Sequence, residues 1–322
     1  MRLKLVPQDT NFDFFKHAKL TFGASVVAMV LSIGIWLTMG LNFGIDFLGG
    51  TTIRTESAQS IDVGEYRAVL EPLGLGDVTI TEVFDPTFAA DQNVAMVRIQ
   101  AQEGAESVTP ETILAVEEAL RGLDPAMTFP SVESVGPKVS GELIQTALLA
   151  VCAALAALLV YIWLRFEWQF SVGAIAALVH DIVLTIGLFS LLQIRFDLAT
   201  IAALLTIIGY SINDTVVIFD RLRENLIKYK QRALRDVMNL SANETLSRTL
   251  MTSGTTLIAL IALLVLGGDV IRGFVFAIFW GVIVGTYSSI YVAKNVVLMI
   301  GVKRDWSKPS SGGGTQFANI DA

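Results

Sequence analysis

The chain has 322 residues, 53% of them hydrophobic and 16% charged, with a mean hydropathy of +0.61 and a net charge of −7. Soluble globular chains are nearer a quarter charged, so this composition argues against a soluble protein and for one that lives in a bilayer. The single cysteine, Cys152, excludes an intrachain disulfide framework and a cysteine-based metal site.

Residues 1–19 carry Arg2, Lys4, Lys16 and Lys19, and Leu20–Met39 then runs without a charge. A span over 20–40 is long enough to cross the ~30 Å hydrocarbon core. Its apolar stretch exceeds that of a secretory signal and no small-residue cleavage site follows, so it reads as an uncleaved anchor; a removed signal is the alternative.

Residues 41–138 are acidic and turn-rich. Gly49–Thr55 predicts a strand after a glycine pair. Asp62 predicts a cap for a helix with Val63, Tyr66 and Leu70 on one face. Val78–Val83 and Asn93–Gln100 alternate as strands around a loop with Asp85, Pro86 and Asp91. Thr109 and Pro110 open a second helix whose buried stripe is Ile113, Val116 and Leu120, and Thr128–Val135 is extended. The order βαββαβ is that of a ferredoxin-like, split βαβ domain.

From Glu142 onward, apolar runs at 142–164, 170–192, 198–219, 249–267 and 273–297 have spanning length. The expected fold is an α-helical polytopic membrane protein with six transmembrane helices and one α+β domain between the first two. Lysine and arginine gather at the N-terminus, at Arg165, in Arg221–Arg235 and in Lys303–Lys308, whereas the opposite short turns hold only Arg195 and Arg272. The positive-inside rule then makes both termini cytoplasmic and places the 41–138 domain outside the cytoplasm. The basic connector 220–248 places Leu234, Val237 and Met238 on one face. That face lies on the membrane surface or on a partner, or belongs to a solvated helical hairpin. The tail 303–322, with Ser-Ser-Gly-Gly-Gly, is compositionally disordered.

Asn213 and Asp214 stand inside the fourth span. A carboxylate there costs roughly 2.5–3.5 kcal/mol on insertion scales, so it calls for a function. Thr206, Tyr210, Asn213 and Asp214, at i, i+4, i+7 and i+8, predict one polar stripe; Arg248, Thr252, Thr255 and Thr256 predict another in the fifth span. Asp214 and Arg248 share a depth in the cytoplasmic third, where they can pair. Gly173, Ala177 and Asp181, beside His180, form a small–small–acid face in the third span. Burial favours the neutral acid and a nearby arginine favours the carboxylate, so moving Asp214 relative to Arg248 would couple protonation to helix motion. The bland alternative is a salt bridge that only clamps helices. Gly281, Gly285, Ser289 and Ala293 form a small-residue stripe suited to close packing, within the chain or against a partner subunit. No phosphate loop, metal-spaced histidine pair or nucleophile elbow occurs, so no cofactor, metal or covalent catalysis is expected. The acidic domain gives no support to nucleic-acid binding.

Gly44–Gly50 resembles the opening motif of the SecF branch of the SecD/SecF family, protein-export membrane proteins of the Sec translocase. Ser134–Gly141, Tyr161–Trp168 with His180-Asp181, Gly209–Glu224, Asn243–Thr249 and Gly267-Gly268 are similar to the family's later motifs, in order, from about residue 10 to 300. The resemblance implies membership of the resistance–nodulation–division superfamily and work with SecD beside the SecYEG channel, with YajC as a further partner. It also implies contact with an unfolded translocating polypeptide and with lipid. Asp214 and Arg248 match residues tied to use of the proton-motive force, with Tyr210, Asn213, His180 and Asp181 beside them. Asp46, Gly49 and Gly50 match the first motif, and Gly209, Asp220 and Arg221 the fourth. The reading is a translocation factor rather than an enzyme; a small-molecule exporter of the same superfamily and a passive channel scaffold are the alternatives.

Overall fold

The structure, a computed structural model, describes residues 10–83, 88, 92–100 and 108–302; Asp85, Pro86 and Asp91 and the tail 303–322 lie outside them. The long helices are α1 (Ala18–Met39), α5 (Pro137–Arg165), α6 (Trp168–Leu192), α7 (Leu198–Lys228), α8 (Leu234–Leu266) and α9 (Asp269–Ser288). A π-helical turn, Ser289–Ala293, carries α9 into α10 (Lys294–Ile300). Among the described residues, six helical spans are long and apolar enough to cross a membrane. Only 6% of the apolar window of α1 and of α5 is buried, against 50% in α7 and 61% in the last span. α6, α7 and α9 therefore form the centre, and the other helices lean on them with apolar faces outward.

Small residues let those central helices touch. A Cβ on Gly281 would collide with Ile207 of α7, one on Gly285 would come within 3.1 Å of Ser211, and Gly173 of α6 meets Ala293 and Val297. The stripe in the last span thus packs inside the chain, against α7 and α6. On the side away from the α+β domain, Phe166 and Phe170 each pack edge to face with Phe219, the Phe170 and Phe219 centroids 5.1 Å apart.

The α+β domain has four strands, β2 (Gly50–Ser57), β3 (Val78–Val83), β4 (Asn93–Gln100) and β5 (Thr128–Val135), in the order β3-β4-β2-β5 and all antiparallel. Helices α3 (Val63–Leu70) and α4 (Pro110–Arg121) share one core with this sheet, built on Ile53, Val97, Tyr66, Leu70, Val116 and Leu120. That is the connectivity of a split βαβ unit. The Asp62 side chain accepts from the N–H groups of Gly64 and Glu65, and the Thr109 hydroxyl from Thr112, so each helix starts where a side chain satisfies its free donors. Buried Asp124 accepts from the Ser57 hydroxyl at 2.6 Å and the Ala126 N–H at 2.9 Å; these bonds hold its carboxyl below the ordinary range.

A latch joins the domain to the bundle. Strand β1 (Asn42–Phe43) pairs in parallel with β6 (Arg195–Phe196), the turn between α6 and α7. The following short helix α2 (Ile45–Leu48) brings Asp46 to the start of α7, where its Oδ2 accepts from the Leu198 N–H at 3.0 Å. Arg98 of β4 donates to the Phe43 carbonyl at 2.6 Å. Gly49 and Gly50, with φ of 71° and 122°, turn the chain from α2 into β2, conformations a side chain would oppose.

The segment 220–248 takes the helical-hairpin form of the two expected arrangements, with its apolar face buried in the chain instead of solvated. It holds no separate surface connector: α7 runs on to Lys228, five residues turn the chain, and α8 begins at Leu234. Val237 and Met238 are fully buried against Phe15, Phe219, Leu222 and Leu226, because the first turns of α8 have an apolar face that the end of α7 covers. The N-terminal segment also straps this end, with Phe12 exchanging hydrogen bonds with the Asn243 side chain and Phe14 N–H donating to Asn239.

Candidate functional site

Among the described residues, two carboxylates lie inside the bundle. Asp181, on the α6 face that meets α7 and α9, is 1% exposed. Its Oδ1 is 2.9 Å from His180 Nδ1, while Oδ2 accepts from the Ser211 hydroxyl of α7 at 2.6 Å and the Ser288 hydroxyl of α9 at 2.8 Å. Three helices are thus tied to one side chain. The His180 ring stacks on Tyr287, whose hydroxyl donates to the Thr21 carbonyl of α1 and lies 3.1 Å from Ser25.

Asp214 lies one turn further along α7 and is 3% exposed. Its polar neighbour is Ser253 of α8, which in turn hydrogen-bonds Thr286 of α9 at 2.7 Å. Its Oδ2 has no hydrogen-bond partner. Arg248 acts on Asp214 through space, but among the described residues no ion pair of 4.0 Å or less joins them.

The polar stripe expected on α7 divides here. Thr206, Gly209 and Asn213 are exposed, Tyr210 is half-buried, and Asp214 faces inward. Adjacent residues are about 100° apart around a helix, so Asn213 and Asp214 fall on different faces. On α8, Arg248 and Thr255 are likewise exposed and Thr252 and Thr256 half-buried. The Tyr210 hydroxyl meets Thr256 at 3.0 Å and holds the two outer faces side by side. Arg248 and Asn213 therefore belong to an outward surface, with Asp214 behind it. The physical reason is that α6, α8 and α9 cover one side of α7 and leave the side of Asn213 bare, so its acid turns toward the covered side.

The remaining motif residues serve the edges. Asp220 pairs with Arg165 of α5 at 2.6 Å, and Arg221 bridges Glu224 and Glu244, each at 2.8 Å. Sequence reasoning missed Ser211, Ser288, Ser253 and Thr286, because a serine or threonine in an apolar helix reads as neutral filler until its partner helix is known. It also missed Lys294, fully buried at the start of α10 with its ammonium 4.7 Å and 5.2 Å from the Phe14 and Phe15 rings. Its signal was present, as a lone lysine within the run 273–297.

A family model described as protein export membrane protein SecD/SecF, C-terminal, matches residues 115–303, and one described as the SecD/SecF GG motif matches 34–61, around Gly49 and Gly50. The chain belongs to the SecD/SecF family. It is 69% identical to protein translocase subunit SecF of Cereibacter sphaeroides, covering 100% of this chain and 99% of that protein, and 64% identical to that of Rhodobacter capsulatus, covering 95% and 94%. The crystal structure of SecDF, a translocon-associated membrane protein from Thermus thermophilus, superposes with a TM-score of 0.82 at 38% identity, over 92% of this chain and 39% of that one. A SecDF structure in a super-membrane-facing form gives 0.67 at 39% identity, over 91% and 39%.

Proposed function

We propose that the chain is a SecF-type subunit of the Sec protein translocase, working with SecD to drive polypeptide export with the proton-motive force. The observation that carries this reading is Asp214, a carboxylate 3% exposed in a membrane helix with one oxygen lacking a hydrogen-bond partner. Such a group is poised to change protonation state, since neither state is locked by a full set of bonds.

Both chain ends lie in the cytoplasm and the α+β domain in the periplasm, in keeping with the lysine and arginine distribution. A proton taken up by Asp214 cancels its attraction to Arg248 and lets α7 shift against α8. At its other end α7 is latched to the domain through Asp46 and the β1–β6 pair. Movement of α7 thereby re-poses the domain, which holds the emerging unfolded polypeptide. The His180–Asp181 knot acts as the fixed side against which α7 moves. The outward face of Arg248 and Asn213 is where SecD docks, since an arginine at that depth calls for a polar partner; the matched SecDF chains carry more than half their length beyond the matched region. SecYEG and YajC complete the set of partners, and no covalent chemistry is assigned to the chain. The Asp214→Asn variant keeps the side chain's shape and removes its titration. In membrane vesicles carrying the full complex it assembles with SecD and loses gradient-stimulated export; export that still rises with the gradient overturns the reading.

A further inference from the structure

The buried face of α8 carries a hydroxyl every fourth residue: Ser241, Thr245, Thr249 and Ser253, all at most 7% exposed. At i, i+4 spacing they form a continuous line along one side of the helix. Its inner end is Ser253, the neighbour of Asp214. Its outer end is Ser241, which accepts from the Asn225 amide at 3.0 Å. The same amide donates to Glu244 at 2.6 Å, and Glu244 also holds Arg221, at the end of the bundle away from the α+β domain.

The line is more than a set of helix-packing hydroxyls. Ser241 and Thr245 donate to carbonyls of their own helix, at 2.8 and 2.9 Å, and Ser253 is paired with Thr286. Thr249 differs: it is 1% exposed and its hydroxyl has no partner. A buried hydroxyl without a bond is destabilising, and Asp214 Oδ2, also unpartnered, belongs to the same seam one turn away. Two unsatisfied polar atoms in one polar seam are what a bridging water satisfies.

We propose that this seam is the route by which protons leave Asp214 for the cytoplasm, with Thr249 as its positioning residue and Glu244 as its terminal acceptor. The inference rests on Asp214 being the titrating group and adds the path. The proton passes from the Asp214 carboxyl to a water held by Thr249. Hydrogen-bonded waters along Thr245 and Ser241 hand it to the Glu244 carboxylate, and Glu244 releases it to bulk water. Asp214 ends as a carboxylate, Glu244 returns to one, and no other reactant is consumed. Neighbouring hydroxyls about 5–6 Å apart along a helix face are one water apart. The groups facing Asp214 are Ser253 and Arg248 from α8, with Thr286 of α9 bonded to Ser253; those facing Glu244 are Arg221, Asn225 and Lys228 from α7. The outer face is a poor route, because the positive Arg248 stands on it and repels a proton. The hydroxyl line is uncharged until Glu244.

The test uses the full complex with SecD in membrane vesicles and compares Thr249→Val, Thr249→Ser, Glu244→Gln and Asp214→Asn. Valine keeps the shape and removes the hydroxyl; serine keeps the hydroxyl. Gradient-stimulated export falls severalfold in Thr249→Val and stays near wild type in Thr249→Ser. Glu244→Gln flattens the dependence of the rate on cytoplasmic pH. If Thr249→Val matches wild type while Asp214→Asn is inactive, the route is wrong and the titrating group stands. If Thr249→Ser is as impaired as Thr249→Val, packing rather than the hydroxyl is responsible and the route is likewise wrong. If Asp214→Asn retains gradient stimulation, the titrating group and the route built on it fall together.

Discussion

Asp181 and Asp214 are carboxylates of nearly equal burial, about one helical turn apart in depth, and their surroundings differ in kind. Asp181 receives Ser211, Ser288 and His180, so both of its oxygens are occupied and α6, α7 and α9 are tied through it. Asp214 sits between α7 and α8 with one oxygen unpartnered and its arginine turned outward. A satisfied buried acid works as a knot, and an unsatisfied one is a site where protonation changes the forces on a helix. In the proposed mechanism the difference also separates the fixed half of the bundle from the half that moves.

The sharpest way to break this comparison is to remove both acids in turn. Asp181→Ala leaves His180, Ser211 and Ser288 without their acceptor and lowers stability by about 1–3 kcal/mol. Asp214→Asn removes no hydrogen bond to Oδ2 and changes stability by less. Thermal unfolding of the detergent-extracted chain reads both, and equal losses would erase the distinction. Next in size is Asp46→Ala, which strips the acceptor from Leu198 N–H at the start of α7 and costs about 1 kcal/mol, as the loss of a helix cap does. Faster hydrogen exchange at Leu198, with export reduced beyond the stability loss, would mark Asp46 as part of the latch.

Asp124 extends the contrast outside the membrane. Hydrogen bonds from Ser57 and from the Ala126 N–H depress its proton affinity in the folded domain. Its contribution is therefore present above the carboxyl range of the unfolded chain and lost as pH falls through the lower folded value. Asp124→Asn flattens that acid limb, measured by hydrogen exchange across the domain's strands in the intact chain. The smallest effect is expected at Arg165–Asp220, whose side chains are 35% and 37% exposed; Arg165→Ala changes stability by about 1 kcal/mol or less.

Much of this was legible in the sequence. Hydropathy marked the spans because a charge inside hydrocarbon is costly, and Asp62 and Thr109 announced their helices because caps are local chemistry. What depends on a neighbouring helix was not legible. One residue's difference in helix phase separates Asn213 outside from Asp214 inside, and only the position of α8 decides which is which. The role of Asp46 at Leu198 spans 152 residues of chain, and no local pattern forecasts it. The connector 220–248 misled because its charges suggest solvent, while Val237 and Met238 find cover on α7.

The central claim is that Asp214, and not Asp181, takes up and gives off the proton. Infrared difference spectra of the reconstituted complex with SecD, recorded between acid and neutral pH, read the carbonyl stretch of a protonated carboxylic acid directly. The pH-dependent band is expected to vanish in Asp214→Asn and to persist in Asp181→Asn. A band that survives in Asp214→Asn and disappears in Asp181→Asn would contradict the account.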